Sequence, residues 1–123
     1  MKIVINDDRK IFEIQAEFNA VFPYLKLEFF SKPHQSGAGS AKRLMKHVHL
    51  TLGECRIIHN SGELNVNPYM KVAELEQIFH DTFGLNVQVF RKSGKVWLET
   101  TVTDGWTLEE QNSQGESLSK GVA

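Results

Sequence analysis

Residues 10–30, KIFEIQAEFNAVFPYLKLEFF, contain the change of hydrophobic period that decides the fold. Up to Phe22 the apolar residues recur at three- and four-residue spacing, which places them on one side of an α helix that starts at Lys10. These residues are Ile11, Ile14, Phe18, Val21 and Phe22. Pro23 ends the helix, because a proline ring disrupts a helix interior.

The rest of this stretch alternates with a period of two residues. Its pairs are Leu25 and Lys26, Leu27 and Glu28, and Phe29 and Phe30. Such alternation predicts a strand with one buried face, because successive side chains of a strand point to opposite sides. A short strand at Lys2 to Asn6 precedes the helix, so the first part of the chain is predicted to be a strand-helix-strand unit.

The same order of patterns returns around KVAELEQIFHDTFGLNVQVF, residues 71–90. A strand at Glu63 to Asn67 is followed by a helix at Val72 to Phe83, a helix-ending Gly84 and alternation from Leu85 onward. At one constant offset the matches are Asn6 with Asn67, Lys10 with Lys71, Glu13 with Glu74, Phe18 with Phe79 and Phe22 with Phe83. The matches favour an internal duplication, although two unrelated amphipathic units would also agree at core positions. Both origins predict the same shape.

The C-terminal part continues the second unit. A fifth strand is predicted at Lys95 to Thr101, after a short turn in which Gly94 supplies a positive φ. Thr107 and Glu110 have the Thr-x-x-Glu spacing of a helix start, which predicts a short helix through Asn112. We therefore expect one domain at residues 1–112, followed by a disordered tail at residues 113–123, where the side chains are polar and small.

Residues 31–60 have the least regular pattern. The segment SGAGS, residues 36–40, lies within a flexible loop that we expect at about residues 32–43. Residues 44–52 are compatible with either a strand or a helix. Thr51 and Glu54 form another possible cap, which favours a turn of helix near Cys55.

Two strand-helix-strand units in series resemble the ferredoxin-like fold. The resemblance implies an α+β domain of two βαβ halves, with a pair of helices on one face of a mainly antiparallel sheet, plus a C-terminal hairpin strand and short helix. Residues 83–112, FGLNVQVFRKSGKVWLETTVTDGWTLEEQN, resemble the C-terminal stretch of small conserved bacterial proteins with no assigned activity. That resemblance covers the second half of the chain well and the first half poorly, and it implies no catalytic residue.

Composition narrows the functional classes. The formal net charge of −1 supplies no global field toward nucleic acid or an anionic membrane. Cys55 is the single cysteine, which excludes an intramolecular disulfide, and the N-terminal MKIVIND lacks the long apolar run of a secretory signal or a membrane span. We expect a cytoplasmic protein without membrane contact, in which Cys55 is a part-buried structural residue rather than a reactive thiol.

The strand alternation also defines a second sheet face, turned away from the helices. Phe30, Gln88 and Phe90 lie on this face, and Trp97 of the fifth strand is expected to join them. Such a mixture of aromatic and polar side chains suits a flat ligand or a partner protein. The alternative is that residues 44–52, the terminal helix or a second subunit cover these rings, because exposed aromatic patches are uncommon on monomers.

Lys42, Arg43 and Lys46 follow the glycine-rich loop in a segment without carboxylates, which indicates phosphate or nucleic-acid binding. The spacing differs from that of a Walker motif, and a solvated loop is the alternative. His47 and His49 would share one side of a strand and are candidates for a divalent metal, although no known metal-site motif accompanies them.

No arrangement of nucleophile and base, and no pair of carboxylates, stands out in the sequence. We therefore predict a non-enzymatic interaction module without a cofactor, which binds a protein partner or itself as a homodimer through the aromatic sheet face or an exposed strand edge. One alternative is nucleotide or nucleic-acid binding through the basic loop, which ranks lower because of the charge balance. The other is an enzyme that holds a small ligand over the sheet face.

Overall fold

The computed structural model of the protein describes residues 1–33 and 45–120. In chain order the elements are β1 (Lys2–Ile5), α1 (Ile11–Val21), β2 (Leu25–Phe30), a 3₁₀ turn (Gly53–Cys55), β3 (Gly62–Asn65), α2 (Val72–Phe83), β4 (Asn86–Ser93), β5 (Val96–Glu99) and α3 (Leu108–Lys120). Both predicted strand-helix-strand units are present, and the protein belongs to the α+β class.

The described strands form two antiparallel sheets rather than one. One sheet pairs β1 with β3, and the other has the order β2-β4-β5. Each strand of the first half therefore pairs with its counterpart in the second half. In the three-stranded sheet, Leu27 lies opposite Val89, and Lys26 lies opposite Phe90. Residues that lie opposite each other point to the same face, so the register agrees with the faces that the alternation predicts.

The core lies between the helices and the apolar strand faces. Phe18 of α1 and Phe79 of α2 are fully buried within it. Phe79 meets Phe29 of β2 edge to face, with ring centroids 6.0 Å apart and planes at 84°. The strand residues that the alternation turned toward the helices are all buried, which confirms that prediction: Ile3, Ile5, Leu25, Leu27, Phe29, Leu64, Val66, Leu85, Val87 and Val89.

The two halves begin their helices with equivalent hydrogen bonds. In each half a glutamate accepts the backbone N–H of the residue before the helix, and an asparagine accepts the N–H two residues after itself. The bonds are Lys10 N to Glu13 Oε1 (2.8 Å), Lys71 N to Glu74 Oε1 (3.3 Å), Asp8 N to Asn6 Oδ1 (3.0 Å) and Tyr69 N to Asn67 Oδ1 (2.9 Å). Matching residues of the two halves therefore make equivalent hydrogen bonds at the starts of their helices.

Both Thr-x-x-Glu segments form the predicted cap. Glu54 accepts the N–H of Thr51 (3.1 Å), and Glu110 accepts the N–H of Thr107 (3.2 Å). The first cap starts the 3₁₀ turn beside Cys55 and the second starts α3. Each cap is also attached to the loop before the helix of its own half, through the bonds Leu52 N to Arg9 O (2.8 Å) and Leu108 N to Met70 O (3.0 Å).

Beyond its cap, each segment contacts the opposite half. Arg56 donates to the carbonyl oxygen of Phe83 at the end of α2 (3.0 Å). Asn112 accepts the N–H of Tyr24, just before β2 (2.9 Å). The two halves are thus held together by reciprocal contacts as well as by strand pairing.

The predicted end of the last helix is wrong. We expected a helix through Asn112 and a disordered tail from Ser113, but α3 continues to Lys120. The reason is tertiary contact. Gly115 is buried against β4 and against Tyr24 just before β2, and an added Cβ would approach the Cβ of Tyr24 to 2.8 Å. The hydroxyl of Ser119 accepts the N–H of Gly94 (3.2 Å). A polar helix with small residues is stable here because it packs on the sheet.

The two glycine predictions are confirmed. Gly84 ends α2 with a φ of 65°, and Gly94 has a φ of 64° in the turn between β4 and β5. The expected loop at about residues 32–43 lies mostly outside the described residues. In residues 45–52 the structure has isolated bridges, Met45 to Phe30 and Thr51 to Lys10, and neither a helix nor a regular strand. Over the described ranges, no helix combines the length and the apolar character that a membrane crossing requires.

Candidate functional site

The structure brings the predicted sheet-face residues together, but most of them are buried. The strand register places Gln88, Phe90 and Trp97 on one face, together with Phe30. Phe30 is 2% exposed, Gln88 0% and Phe90 9%, whereas Trp97 is half-buried. These values favour the alternative of a covered face, because buried rings cannot serve as an open platform for a ligand.

Trp97 extends across this face toward β2. The ammonium group of Lys26 lies 5.0 Å from the centroid of Trp97 and 5.5 Å from that of Phe90. Lys26 also pairs with Glu28 at 3.3 Å. Trp97 and Lys26 line a shallow groove of about 310 Å³ beside α1. The ring of Trp97 therefore leans away from the outer side of β5.

The outer edge of β2 is closed by side-chain amides from α1 and by one backbone amide. A strand edge with unpaired carbonyl groups is a template for another strand, so each donor placed on it removes one pairing position. The bonds are Gln15 Nε2 to Leu27 O (2.8 Å), Asn19 Nδ2 to Leu25 O (2.9 Å) and Lys46 N to Phe29 O (2.7 Å). No further strand can join β2 without breaking them.

Two other positions are closed in a similar way. On β1, the guanidinium group of Arg9 donates to the carbonyl oxygen of Val4 (3.0 Å). On β4, the buried carboxylate of Glu76 accepts the N–H of Val89 (3.0 Å). Side chains from the neighbouring helix or loop therefore occupy these pairing positions on β1 and β4, as they do on the edge of β2.

Among residues 1–33 and 45–120, no side chain or loop protects the outer side of β5 in this way. The N–H of Thr100 donates to Val89 on β4, so by alternation the backbone groups of Trp97 and Glu99 point away from β4. Within the described residues, these outward groups have no hydrogen-bond partner. The side chains of Val96 and Leu98 beside them are 56% and 43% exposed. We call this side of β5 the open edge.

Of the strands that the structure describes, β3 also pairs on one side only, but its exposed side chains differ from those of β5. Its exposed residues include Glu63 and Asn65, whereas Val96 and Leu98 are apolar. Charged and polar side chains discourage strand addition, while apolar residues on an unpaired strand favour it. The open edge of β5 is therefore the stronger candidate for a binding surface.

The basic loop is only partly described. Lys42 and Arg43 lie outside the described residues. Lys46 lines a cleft of about 500 Å³ together with Cys55 and His80. Cys55 is half-buried, and burial raises the pKa of its thiol, which disfavours the reactive thiolate. The expected partial burial of Cys55 is confirmed, since it packs against the core, and a purely structural role stays a prediction.

The histidine pair lies on the surface beside α1. The rings of His47 and His49 are 5.1 Å apart, and the Phe12 ring meets His49 edge to face at 5.6 Å. Nδ1 of His47 accepts the N–H of His49 (3.2 Å), which takes up one of its possible ligand atoms. In the parts of the chain that the structure describes, no three His, Cys, Asp or Glu side chains are grouped so that they could hold a metal ion.

A buried guanidinium centre joins Asp7, Arg56 and His59, and sequence reasoning missed it. The side chain of Arg56 is fully buried. It donates to Asp7 Oδ1 from two nitrogens (2.8 and 3.0 Å) and to the carbonyl oxygens of Asn60 (2.8 Å) and Phe83 (3.0 Å). Nδ1 of His59 lies 2.9 Å from the other oxygen of Asp7. No local signal marks these residues, because Asp7 and Arg56 are distant in sequence.

This centre should make the stability depend on pH. The hydrogen bonds from His59 and Arg56 lower the pKa of Asp7. A carboxyl group whose pKa is lower in the folded state contributes stability above its unfolded pKa of about 3.9, and this contribution is lost as the pH falls through the folded pKa. We expect the free energy of unfolding, measured by urea titration, to fall below about pH 4 in the wild type and less steeply in Asp7→Asn.

The matched control is Asp8→Asn, which changes the neighbouring exposed carboxylate. Its comparison with Asp7→Asn separates the loss of the bonds to Arg56 and His59 from the loss of one negative charge. If Asp7→Asn and the wild type lose stability in parallel through the acid range, the ion pair does not contribute in this way.

Comparison with known proteins found no related protein. No family model matches the chain, and neither a curated protein nor a solved structure is significantly similar to it. The candidate site therefore rests on the geometry of the strands alone.

Proposed function

We propose that the protein is a non-enzymatic interaction module that binds an extended segment of a protein partner at the open edge of β5. The carrying observation is that the outward N–H and C=O groups of Trp97 and Glu99 have no partner within the described residues. An added strand satisfies these groups through main-chain hydrogen bonds, while its alternate side chains provide specificity.

The surroundings of the open edge support this function. Val96 and Leu98 share one face of β5, where Leu98 lies opposite Arg91 of β4. The Arg91 guanidinium in turn lies 5.8 Å from the ring centroid of Trp106, which is partly exposed. A strand that pairs with β5 would place its side chains next to this apolar strip and bury part of it.

We also propose an internal duplication, a ferredoxin-like arrangement and a reducing compartment for this protein. The equivalent cap and helix-start bonds of the two halves support an origin by internal duplication, and the order of elements is compatible with a ferredoxin-like arrangement. A single cysteine that lies against the core suits a reducing compartment such as the cytoplasm.

A selection experiment tests the function. Short random peptides displayed on phage are selected against the wild-type protein, and the enriched peptides are synthesised and titrated by calorimetry. We expect peptides with alternating apolar residues, and we expect Leu98→Lys to abolish their binding because a lysine on an edge strand opposes strand addition. Val102→Lys is the control, because Val102 is 91% exposed in a loop and lies outside the strand.

The outcome is decided by the difference between the two lysine variants. Equal binding by wild type, Leu98→Lys and Val102→Lys would place the peptide site elsewhere. Failure to enrich any peptide on folded wild-type protein would also count against the proposed function.

A further inference from the structure

We propose that the strand accepted at the open edge is β5 of a second copy, so that two chains pair β5 with β5 in an antiparallel register centred on Trp97. This inference rests on the proposed function and names its partner. The product is a symmetric dimer with one continuous sheet of six strands, three from each copy.

Residues 95–99, which comprise β5 and the turn residue Lys95 before it, are self-complementary about Trp97. Residues 95–99 read Lys-Val-Trp-Leu-Glu. When Trp97 lies opposite Trp97 of the second copy, Val96 lies opposite Leu98 and Lys95 lies opposite Glu99. Directly opposed apolar residues and directly opposed opposite charges both stabilise an antiparallel pair. The symmetry produces each of these two pairs twice.

The backbone geometry permits the same register, and the side chains favour it over the alternative. The N–H and C=O of Trp97 point outward, so two facing Trp97 residues exchange two hydrogen bonds at the centre of the new ladder. A register centred on Leu98 instead places Trp97 opposite Glu99 and removes the pairing of Lys95 with Glu99. The register centred on Trp97 therefore combines hydrogen bonding with charge complementarity.

The position of the Trp97 side chain leaves room for this pairing. Its ring lies 5.0 Å from the ammonium group of Lys26 on β2, on the inner side of the sheet relative to the open edge. The twofold axis of such a pair is perpendicular to the sheet, so Val96 and Leu98 of both copies stay on one face. The contact is small, so the dimer belongs to the weak class and depends on protein concentration.

Charge reversal tests the register in solution. Sedimentation velocity over a concentration series should show reversible dimers of the wild type. Lys95→Glu and Glu99→Lys should each weaken dimerisation by about tenfold, since each creates two pairs of like charge. The double variant carrying both changes restores opposite charges and should regain wild-type association. A monomeric wild type over the whole series, or a double variant no better than the singles, overturns the proposed pairing.

Oxidative cross-linking provides a second test with a built-in control. In a Cys55→Ser background, Trp97→Cys should form a disulfide-linked dimer, because facing Cα atoms are about 5.5 Å apart and a disulfide spans roughly 4.4–6.8 Å. Leu98→Cys should not, because its two copies lie on a diagonal about 7–8 Å apart. Cross-linking through residue 98 and not through residue 97 would show the other register and overturn the proposal.

The results separate this inference from the proposed function. If the wild type stays monomeric but captures peptides that Leu98→Lys loses, the open edge binds another protein and only the self-pairing fails. If peptide capture is the same in the wild type and Leu98→Lys, the proposed function fails whatever the state of association.

Discussion

Replacing Phe79 by alanine is expected to lower the free energy of unfolding by about 3–5 kcal/mol. Phe79 is fully buried and its ring packs edge to face on Phe29, so truncation leaves a cavity between α2 and the three-stranded sheet. Phe18 holds the matching place in α1, and Phe18→Ala should cost a similar amount. Urea unfolding followed by circular dichroism measures both.

Phe12→Ala is the matched control for these variants. Phe12 lies on the outer side of α1 and is exposed; its ring meets His49 edge to face and lies 6.0 Å from the ammonium group of Lys10. Its truncation should cost about 1 kcal/mol or less. A loss from Phe79→Ala that is no greater than that from Phe12→Ala would mean that Phe79 does not occupy the core, and the account of the fold would then be wrong.

Replacing Arg56 by methionine is expected to cost about 2–3 kcal/mol. Methionine fills similar space but cannot donate hydrogen bonds, so the carbonyl oxygens of Phe83 and Asn60 lose their partner. The bond to Phe83 is buried, and its loss is the main part of the cost. Asp7 adds less, because its side chain is partly exposed and water can solvate it.

Two comparisons show whether the buried donor is the cause. Arg56→Lys keeps the charge but has a single nitrogen, so it should recover only part of the stability, because one ammonium group cannot reproduce the guanidinium geometry. Lys2→Met removes an exposed surface ion pair with Glu63 and should change stability by less than about 1 kcal/mol. Equal stability of wild type and Arg56→Met in urea unfolding would contradict the assigned role.

The local sequence pattern was sufficient to predict features that depend only on residues close together in the chain. The alternation in residues 25–30 predicted both the strand and its buried face, and the spacing of Phe18 and Phe79 predicted which side of each helix lies in the core. The Thr-x-x-Glu caps and the helix-ending Gly84 were also readable, because each acts within a few residues.

The misjudged features depend on distant contacts. Residues 113–120 look like a solvated tail by composition, yet Gly115 and Ser119 dock on β2, β4 and the turn at Gly94 and keep the chain helical. Alternation alone grouped the aromatic and polar residues on one sheet face, and it left open whether that face is exposed or covered, because it says nothing about what lies above the residues. Burial of Phe30 and Gln88 is therefore a tertiary result.

The candidate site also depends partly on the sequence and partly on the tertiary structure. The sequence shows that residues 95–99 have apolar residues between a lysine and a glutamate. In the described part of the chain, β5 has an unprotected edge, while Gln15, Asn19 and Arg9 close other edges. This difference depends on how helices and loops are placed around the sheets.

By itself, the sequence determined the elements, their buried faces and their caps, because these follow from the period of apolar residues and from hydrogen bonds between near neighbours. Only the tertiary structure decided that the strands divide into two sheets, that Arg56 reaches Asp7 and Phe83, and that β5 has an open edge. Those features arise from contacts between residues far apart in the chain. Bringing such residues together costs chain entropy, and only the cooperative packing of the whole domain offsets this cost.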